Sequence, residues 1–183
     1  MYPFLRTFLT LRQARQMPPM GMFDTHVSQH RVLPWDADIY MELNNGRTLT
    51  LFELGRWPLA VRIGLADEVR RQKIAFAVAG VSVRYRHRLP ILVKFTTYTR
   101  LLGWDDRFLY VEQSMWQGER CANHMLLRAA FKGPQGTVPP AEFLGEAGLR
   151  SNSPALPLWV TNWIEADATR PWPPARAEPT IGD

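Results

Sequence analysis

The sequence predicts an α+β domain in which one long helix packs on a curved antiparallel sheet. Apolar residues recur at helical spacing between residues 45 and 63, which is typical of an amphipathic helix. After residue 74 the pattern changes to runs of β-branched and aromatic residues separated by turn residues, which is typical of antiparallel strands. With 183 residues, 46% of them hydrophobic, the chain suits one domain with a sizeable core.

The first two elements of the domain are a strand and the long helix. Weak alternation predicts a strand over residues 24–35, and helical periodicity predicts a helix from residue 45 to about residue 63. Asn44 or Asn45 is expected to cap this helix, because a short amide side chain accepts a hydrogen bond from the free N–H groups of the first turn. Pro58 falls inside the helix and is expected to kink or divide it.

The rest of the domain is predicted to be a meander of four long strands. They cover residues 74–89, 91–102, 107–116 and 121–132, with turns at 103–106 and 117–119. A helix that buries its apolar face on the concave side of such a sheet forms a two-layer architecture. Short helices are expected over 139–145 and within 154–169, and the proline-rich end from residue 171 is expected to be irregular.

We divide the chain into a basic amphipathic segment 1–20, a central domain 21–150, and a C-terminal helix and proline-rich tail 151–183. In the first segment Phe4, Phe8 and Leu9 alternate with arginines, and no acidic residue precedes Asp24. Charge interrupts the apolar stretch, which is unlike a secretory signal. Two interpretations stay open. The segment docks on the domain or a partner subunit, which would bury those three side chains, or it lies on a membrane.

The net charge and the cysteine content restrict the possible binding partners and the cellular compartment. The formal net charge is +5 and the pI is about 9.8, which fits an anionic partner, either a nucleic acid, an acidic membrane surface or a phosphate-rich ligand, but also fits a basic protein with none. Cys121 is the only cysteine, which favours a reducing compartment and hence the cytoplasm, with membrane association as the alternative. No run of residues approaches the ~18 apolar residues that a membrane span needs.

The most informative motif spans residues 35–56. Two carboxylates precede an asparagine pair that opens the long helix, and the helix then carries a glutamate and an arginine. These residues are Asp36, Asp38, Asn44, Asn45, Glu53 and Arg56. Over roughly residues 24–132, the chain resembles the hotdog-fold acyl-CoA thioesterases, in particular the 4-hydroxybenzoyl-CoA thioesterase-like group. Met41-Glu42 departs from the pattern, since many relatives have Gly-His there.

The resemblance implies the hotdog fold, in which a long central helix is wrapped by a curved antiparallel sheet. The predicted order of one strand, one long helix and a meander of strands agrees with it. The resemblance also implies a homodimer or a dimer of dimers, because hotdog sheets usually pair edge to edge. Such pairing covers long edge strands that would otherwise invite aggregation.

The resemblance implies that Asp38 is the catalytic acid, either as the nucleophile or as the base for water. Asn45 and the amide of Gly46 would then polarise the thioester carbonyl, since a helix N-terminus favours negative charge. Glu53 is the second catalytic candidate, because a helical carboxylate is the base in some hotdog thioesterases. From the residues alone, each has a structural alternative: a turn at the aspartates, a plain cap at Asn45 and an ion pair at Glu53.

A basic cluster follows on the first strand of the meander. Alternation places Arg84, Arg86 and Arg88 on one strand face, where guanidinium groups would suit the phosphates of coenzyme A. The alternative is a solvated outer face. His26 and His30 share a strand face but stand too far apart for joint chelation, so no metal is expected, and no cofactor is expected either.

These features together predict a metal-independent acyl-CoA thioesterase that uses an aspartate. Nucleophile-elbow, phosphate-loop and dinucleotide motifs are missing, and the hydratase pattern of an Asp with a downstream His is missing too. One alternative is a non-catalytic protein that binds acyl-CoA or an acyl carrier protein. Another is a basic interaction module, although the interleaved aromatic and basic residues of nucleic-acid-binding proteins are missing, so no nucleic acid is expected.

Overall fold

A computed structural model of the chain describes residues 2–176 and has the predicted α+β architecture. The helices are α1 Phe4–Gln16, α2 Asn45–Arg62, α3 Leu65–Arg71, α4 Pro140–Glu146 and α5 Leu158–Ala168, with a 3-10 turn at Pro34–Asp36. The strands are β1 His26–Arg31, β2 Ala75–Tyr85, β3 Lys94–Trp104, β4 Leu109–Gln117, β5 Arg120–Gly133 and β6 Gly136–Val138. The irregular end predicted from residue 171 includes 177–183, which lie outside the described residues, as does Met1.

The sheet is antiparallel throughout, with the strand order β1-β3-β4-β5-β2 and β6 added beside β5. The three consecutive strands β3, β4 and β5 therefore form its centre, and β2 is an edge strand over all of its 11 residues. Successive strands of such a meander need only short turns. The fold is the predicted hotdog fold, in which the sheet curls around α2.

Helix α2 begins where the asparagine pair predicts and buries its apolar face on the sheet. Asn44 is the N-cap, and its side-chain oxygen accepts a hydrogen bond of 3.1 Å from the backbone N–H of Arg47. Leu51, Phe52 and Leu54 are fully buried. The helix runs through Pro58 without being divided, which corrects that part of the prediction, and Pro58 is itself buried.

A buried amide holds α2 to the centre of the sheet. Nε2 of Gln113 on β4 donates to the carbonyl oxygen of Phe52 at 2.7 Å and to Oγ1 of Thr99 at 2.8 Å. Its oxygen accepts from Nη1 of Arg56 at 3.0 Å. These hydrogen bonds form where Gly55 of α2 faces Thr99 and Gln113 of the sheet. Only a residue without a side chain allows the helix to lie so close to the sheet.

Several strand boundaries differ from the prediction. The first strand is only His26–Arg31, because Pro34 starts the 3-10 turn. The strand predicted over 74–89 ends at Tyr85. The turn predicted at 103–106 begins later, since β3 continues through Gly103, where the register shifts and the φ angle is +150°. Glycine tolerates that conformation, so here it marks a bulge in the strand.

The C-terminal helix α5 covers the face of the sheet opposite α2. It forms a second, smaller core in which Val160 packs with Leu102, Tyr110 and Leu126. Arg128 on β5 binds Asp167 on α5, with 2.6 Å between Nη2 and Oδ2. The helix predicted within 154–169 is therefore confirmed as α5.

Helix α1 docks on the domain beside α2, but with the opposite side from the one predicted. Ala14 is 2% exposed, whereas Phe4 is 73%, Phe8 61% and Leu9 52% exposed. The expectation that these three side chains would be buried on docking is wrong. The inward side of α1 carries small and polar residues and Arg6, whose partner is described below. No helix within residues 2–176 is long and apolar enough to cross a membrane.

The close approach at Gly55 gives a stability prediction. A Cβ atom at this position would lie 2.5 Å from Oγ1 of Thr99, so Gly55→Ala must push α2 away from the sheet. Alanine is the better helix former by about 1 kcal/mol, but overpacking typically costs about 1–3 kcal/mol. We expect a net loss of free energy of unfolding in urea titrations.

The control is the double variant Gly55→Ala with Thr99→Ala, which removes the atom that clashes. The two losses should then be clearly less than additive, since residues in contact couple. Additive losses, or a stabilised Gly55→Ala variant, would show that the helix does not rest on Thr99.

Candidate active site

Asp36 is the buried anchor of the region before α2. Its side chain is fully buried, with Oδ2 at 2.6 Å from Nη1 of Arg6 and Oδ1 at 2.8 Å from Nε of Arg47. The backbone N–H of Leu33 also donates to Oδ2, at 3.1 Å. Buried charges are tolerated when they are paired and hydrogen-bonded in this way. Asp36 is therefore fully engaged in holding α1, the loop and α2 together.

Asp38 has a different environment, although it is only two residues away. It is half-buried in a tight turn in which its N–H donates to the carbonyl of Glu42 at 2.9 Å, and its carbonyl accepts from the N–H of Met41 at 3.1 Å. Oδ1 accepts the N–H of Tyr40 at 2.9 Å. Within residues 2–176 nothing donates to Oδ2, so one carboxylate oxygen of Asp38 is available to a ligand.

The turn after Asp38 needs an unusual backbone at Met41. The φ angle of Met41 is +60°, in the left-handed region that side chains other than glycine rarely adopt. Met41 is one of the two positions where the chain departs from the Gly-His pair of the thioesterases that it resembles. A methionine here adopts a backbone conformation that suits glycine, and its side chain is 59% exposed.

The N-terminus of α2 leaves two backbone donors available. The first turn uses the N–H of Arg47 for the Asn44 cap and the N–H of Thr48 for the carbonyl of Asn44. The amides of Asn45 and Gly46 have no acceptor among the described residues. Both residues are exposed. Free N–H groups at a helix N-terminus attract negative charge, which suits an oxyanion.

The predicted arginine cluster does not form as one face. Strand β2 ends at Tyr85, and the N–H groups of both Arg86 and His87 donate to the carbonyl of Ala122, so the alternation stops there. Arg84 lines a cavity on the α5 side of the sheet, together with His124. The prediction that Arg84, Arg86 and Arg88 share a face is therefore wrong.

Arg86 and Arg88 instead line a groove of about 170 Å³ at the start of α2, which includes Asn45. Nε of Arg88 lies 3.2 Å from a carboxylate oxygen of Glu42, which also lines the groove. The hydroxyl of Tyr85 donates to the carbonyl of Asn45 at 3.1 Å and ties β2 to the helix. Burial raises the pKa of Tyr85, so this hydroxyl stays protonated.

Glu53 lies elsewhere, at the polar end of an apolar cavity of about 220 Å³. The hydroxyl of Tyr2 donates to Oε2 at 2.6 Å, and Nη2 of Arg56 lies 3.3 Å from Oε1. Burial lowers the pKa of Arg56, and burial together with Glu53 raises the pKa of Tyr2. The rest of the lining is apolar apart from Arg56 and includes Trp57, Ile63, Val69, Phe76, Val78, Leu101 and Val111.

Asn45, Arg86 and Arg88 line one groove, and Asp38 is bound to the edge of that groove because its N–H donates to the carbonyl of Glu42, which also lines it. Glu53 and Arg84 line two other cavities. The partners of Asp36 and the contact of Tyr2 with Glu53 were missed by sequence reasoning. The separations along the chain are 30 residues for Arg6 with Asp36 and 51 for Tyr2 with Glu53, so no local pattern could reveal them. The only signal was the absence of acids before Asp24, which left the arginines of the first segment without local partners.

Within residues 2–176, no cluster of histidine, cysteine and carboxylate side chains has the arrangement of a metal site. His26 and His30 have separate partners: Nδ1 of His26 lies 3.1 Å from Nη1 of Arg62, and Nε2 of His30 lies 2.8 Å from Oγ of Ser28. Burial and nearby positive charges lower the pKa of each imidazole to about 4.

Comparison with known proteins identifies the family. The model of the thioesterase-like superfamily matches residues 32–164, so the chain belongs to that superfamily. Among curated proteins it is similar to Protein THEM6 of Xenopus laevis, with 34% identity over 111 residues that cover 60% of this chain and 54% of that protein. It is also similar to Thioesterase lcsJ of Purpureocillium lilacinum, with 24% identity over 152 residues that cover 69% of this chain and 49% of that protein. The chain therefore spans about half the length of these relatives.

Among solved structures, the fold is similar to that of YbaW, a probable thioesterase from Escherichia coli. The TM-score is 0.62 at 19% identity, covering 66% of this chain and 94% of that one. This likeness concerns the fold, and it agrees with the hotdog architecture described above.

The buried His26 and the half-buried His30 predict acid sensitivity. Their pKa is near 4 in the folded protein against about 6.5 when unfolded, so between these values the unfolded chain binds more protons. Stability is therefore fully present above about pH 6.5 and is lost progressively as the pH falls toward 4. Most carboxylates titrate below about pH 4.5 and do not contribute in the upper part of this window.

We expect the melting temperature to fall between about pH 7 and pH 5, and to fall less in His30→Gln, which keeps a side chain able to bond Ser28. Scanning calorimetry at fixed ionic strength measures both. A melting temperature that is level over this range would contradict the burial of neutral imidazoles.

Proposed function

We propose that the protein hydrolyses an acyl thioester of coenzyme A, with Asp38 as the acting carboxylate. The observation that carries this proposal is the contrast between two aspartates of one motif. Both oxygens of Asp36 are held by arginines, whereas Asp38 keeps one oxygen without a donor from the described residues. Glu53 is the weaker candidate, because Tyr2 and Arg56 occupy its two oxygens.

The reaction needs an attacking oxygen and a place for negative charge. Asp38 either takes a proton from water, which then attacks the carbonyl carbon, or attacks that carbon itself, in which case loss of the thiolate leaves an anhydride that water opens in a second step. The amides of Asn45 and Gly46 stabilise the oxyanion of the tetrahedral intermediate. The C–S bond then breaks, and the thiolate leaves as coenzyme A. Thiolate is a good leaving group, so neither path requires a metal or a strong acid.

The apolar cavity beside α2 is the proposed site for the acyl tail. Its lining is apolar apart from Glu53 and Arg56, and at about 220 Å³ it is smaller than the pockets of about 300–1,000 Å³ that enclose drug-sized ligands. Asn45 and Glu53 are eight positions apart on α2, or about 12 Å along the helix axis. An acyl tail that reaches this cavity from Asp38 therefore lies along about two turns of α2.

We propose a homodimer, or a dimer of dimers, formed at the free edge of β2. This strand is 11 residues long, pairs on one side only, and exposes Val78 by 52% and Val81 by 40%. A long open edge with apolar side chains attracts another strand. Because Phe76 and Val78 line the acyl cavity, a partner at this edge would lie directly beside it. A cytoplasmic location fits the single free cysteine, Cys121.

The second candidate is a protein that binds acyl-CoA or an acyl carrier protein without cleaving it. The observation that favours it is the turn at Met41-Glu42, where Glu42 forms an ion pair with Arg88 instead of presenting a histidine. Tight binding of a non-hydrolysable acyl-CoA analogue without release of free thiol from any acyl-CoA would support this candidate.

The substitution Asp38→Asn tests the catalytic assignment. Asparagine keeps an oxygen for the N–H of Tyr40, so the turn should remain, but an amide is neither a nucleophile nor a base. We expect turnover of acyl-CoA, measured as release of free thiol over a panel of acyl chains, to fall by roughly 10²–10⁴-fold.

Asp106→Asn is the matched control, because Asp106 is exposed in the turn between β3 and β4, and it should keep full activity. Glu53→Gln should lower the melting temperature through the loss of its Tyr2 and Arg56 partners while the folded protein still turns over. Wild-type turnover in Asp38→Asn together with an inactive, folded Glu53→Gln would move the catalytic role to the helix.

The groove at the start of α2 predicts how coenzyme A is recognised. Arg86→Ala with Arg88→Ala should raise KM for acyl-CoA several-fold, since exposed charge pairs contribute about 1 kcal/mol or less each. Arg84→Ala is the matched control and should leave KM unchanged, because Arg84 lies on the other side of the sheet.

The substrate comparison separates phosphate binding from a structural role. An acyl-N-acetylcysteamine lacks the nucleotide, so its turnover should be the same in the double variant and the native protein. Equal impairment of both substrates would make the two arginines structural, and an effect of Arg84→Ala equal to that of the double variant would refute the groove as the phosphate site.

A further inference from the structure

Helix α1 presents a continuous apolar stripe to solvent. The exposed fractions are 73% for Phe4, 70% for Leu5, 61% for Phe8 and 52% for Leu9. Residues four apart lie one above the other on a helix, so these four side chains form a single patch. Large exposed apolar patches mark sites of contact with another protein or with a membrane.

The same side of α1 continues into a half that carries basic and no acidic residues. Arg12 and Arg15 are exposed and follow the apolar residues at helical spacing, and no acidic residue occurs before Asp24. The stripe therefore combines apolar side chains at one end with two cations at the other.

The orientation of α1 is fixed by contacts on its opposite side. Ala14 is buried against the domain, and Arg6 reaches the buried Asp36 at 2.6 Å. Rotating the helix to bury the stripe would leave the charge of Asp36 with one partner fewer. The apolar side chains thus stay outward while α1 remains docked.

We propose that α1 is a membrane-surface helix that binds an anionic lipid bilayer. Phe4, Leu5, Phe8 and Leu9 enter the boundary between headgroups and acyl chains, and Arg12 and Arg15 contact lipid phosphates. Amphipathic helices with this distribution lie in the plane of the interface, and basic residues near an anionic membrane surface strengthen the attachment. This inference is independent of the proposed enzymatic function.

A second copy of the chain fits the same face less well. Parallel pairing of two α1 helices through the stripe would bring Arg12 and Arg15 of both copies together, and the helix itself offers no carboxylate to neutralise them. Like charges in a contact oppose association. Antiparallel pairing would instead place the two arginines of each copy against the apolar end of the other. Lipid phosphates supply the missing negative charge, so an anionic bilayer is the occupant that matches both halves of the stripe.

The test is sedimentation of the full chain with two kinds of vesicle, phosphatidylcholine alone and phosphatidylcholine mixed with phosphatidylglycerol. The native protein should bind the mixed vesicles and bind the neutral ones at least tenfold more weakly. Leu5→Ser with Phe8→Ser should reduce binding to the mixed vesicles at least tenfold. This pair avoids Phe4, whose ring contacts that of Tyr2 at 4.9 Å between centroids.

Leu158→Ser with Trp172→Ser is the matched control, since these side chains are 74% and 89% exposed elsewhere, and it should bind as the native protein does. Arg12→Ala with Arg15→Ala should remove most of the preference for phosphatidylglycerol. Unchanged melting temperatures verify that the variants fold. Failure of the native protein to bind vesicles, or equal loss in the control pair, would overturn the proposal. So would a concentration-dependent dimer in light scattering that only Leu5→Ser with Phe8→Ser abolishes, which would identify a second copy as the occupant.

Discussion

The buried carboxylate of Asp36 is the constraint from which the arrangement around α2 follows. A fully buried charge must be compensated, and here Arg6 and Arg47 compensate it from two different helices. Leaving such a charge without one partner typically costs about 3–5 kcal/mol. The same residue also accepts the N–H of Asn44 through its carbonyl, at 3.0 Å. One aspartate therefore sets the position of α1, the geometry of the preceding loop and the start of α2.

The burial of Asp36 also gives the two aspartates of the motif different environments. With Asp36 held by arginines, the loop pairs back on itself through Ala37 with Leu43, and Asp38 reaches the turn beyond. Asp38 is thereby held by backbone hydrogen bonds and by one side-chain bond, which leaves one of its oxygens for a ligand. A carboxylate positioned in this way needs no ion pair of its own. A fully paired carboxylate and one with an unpaired oxygen thus lie two residues apart, and the sequence spacing alone could not show which is which.

The local sequence pattern predicted the secondary-structure elements, but it did not predict which of their side chains pack against each other. Helix α2 and the centres of the strands were predicted because periodicity and turn residues reflect burial on one face. The arginine cluster was assigned to one face because alternation was extended past Tyr85, where two successive N–H groups share the carbonyl of Ala122. Pro58 and Gly103 were interpreted as breaks, yet packing carries α2 and β3 through them. These outcomes depend on partners far away in the sequence.

The orientation of α1 shows the same dependence most clearly. A free amphipathic helix next to a hydrophobic domain is expected to dock by its apolar side, because burying each large apolar side chain contributes about 1.5–3 kcal/mol. Here the domain beside α1 contains the buried Asp36 carboxylate, so the side of the helix that faces the domain must carry a cation. Arg6 pairs with this carboxylate, and small residues such as Ala14 pack beside it on the same side of the helix. The apolar side must therefore face outward. The exposed stripe is therefore a direct consequence of the buried charge, and it persists as long as the Arg6–Asp36 pair does.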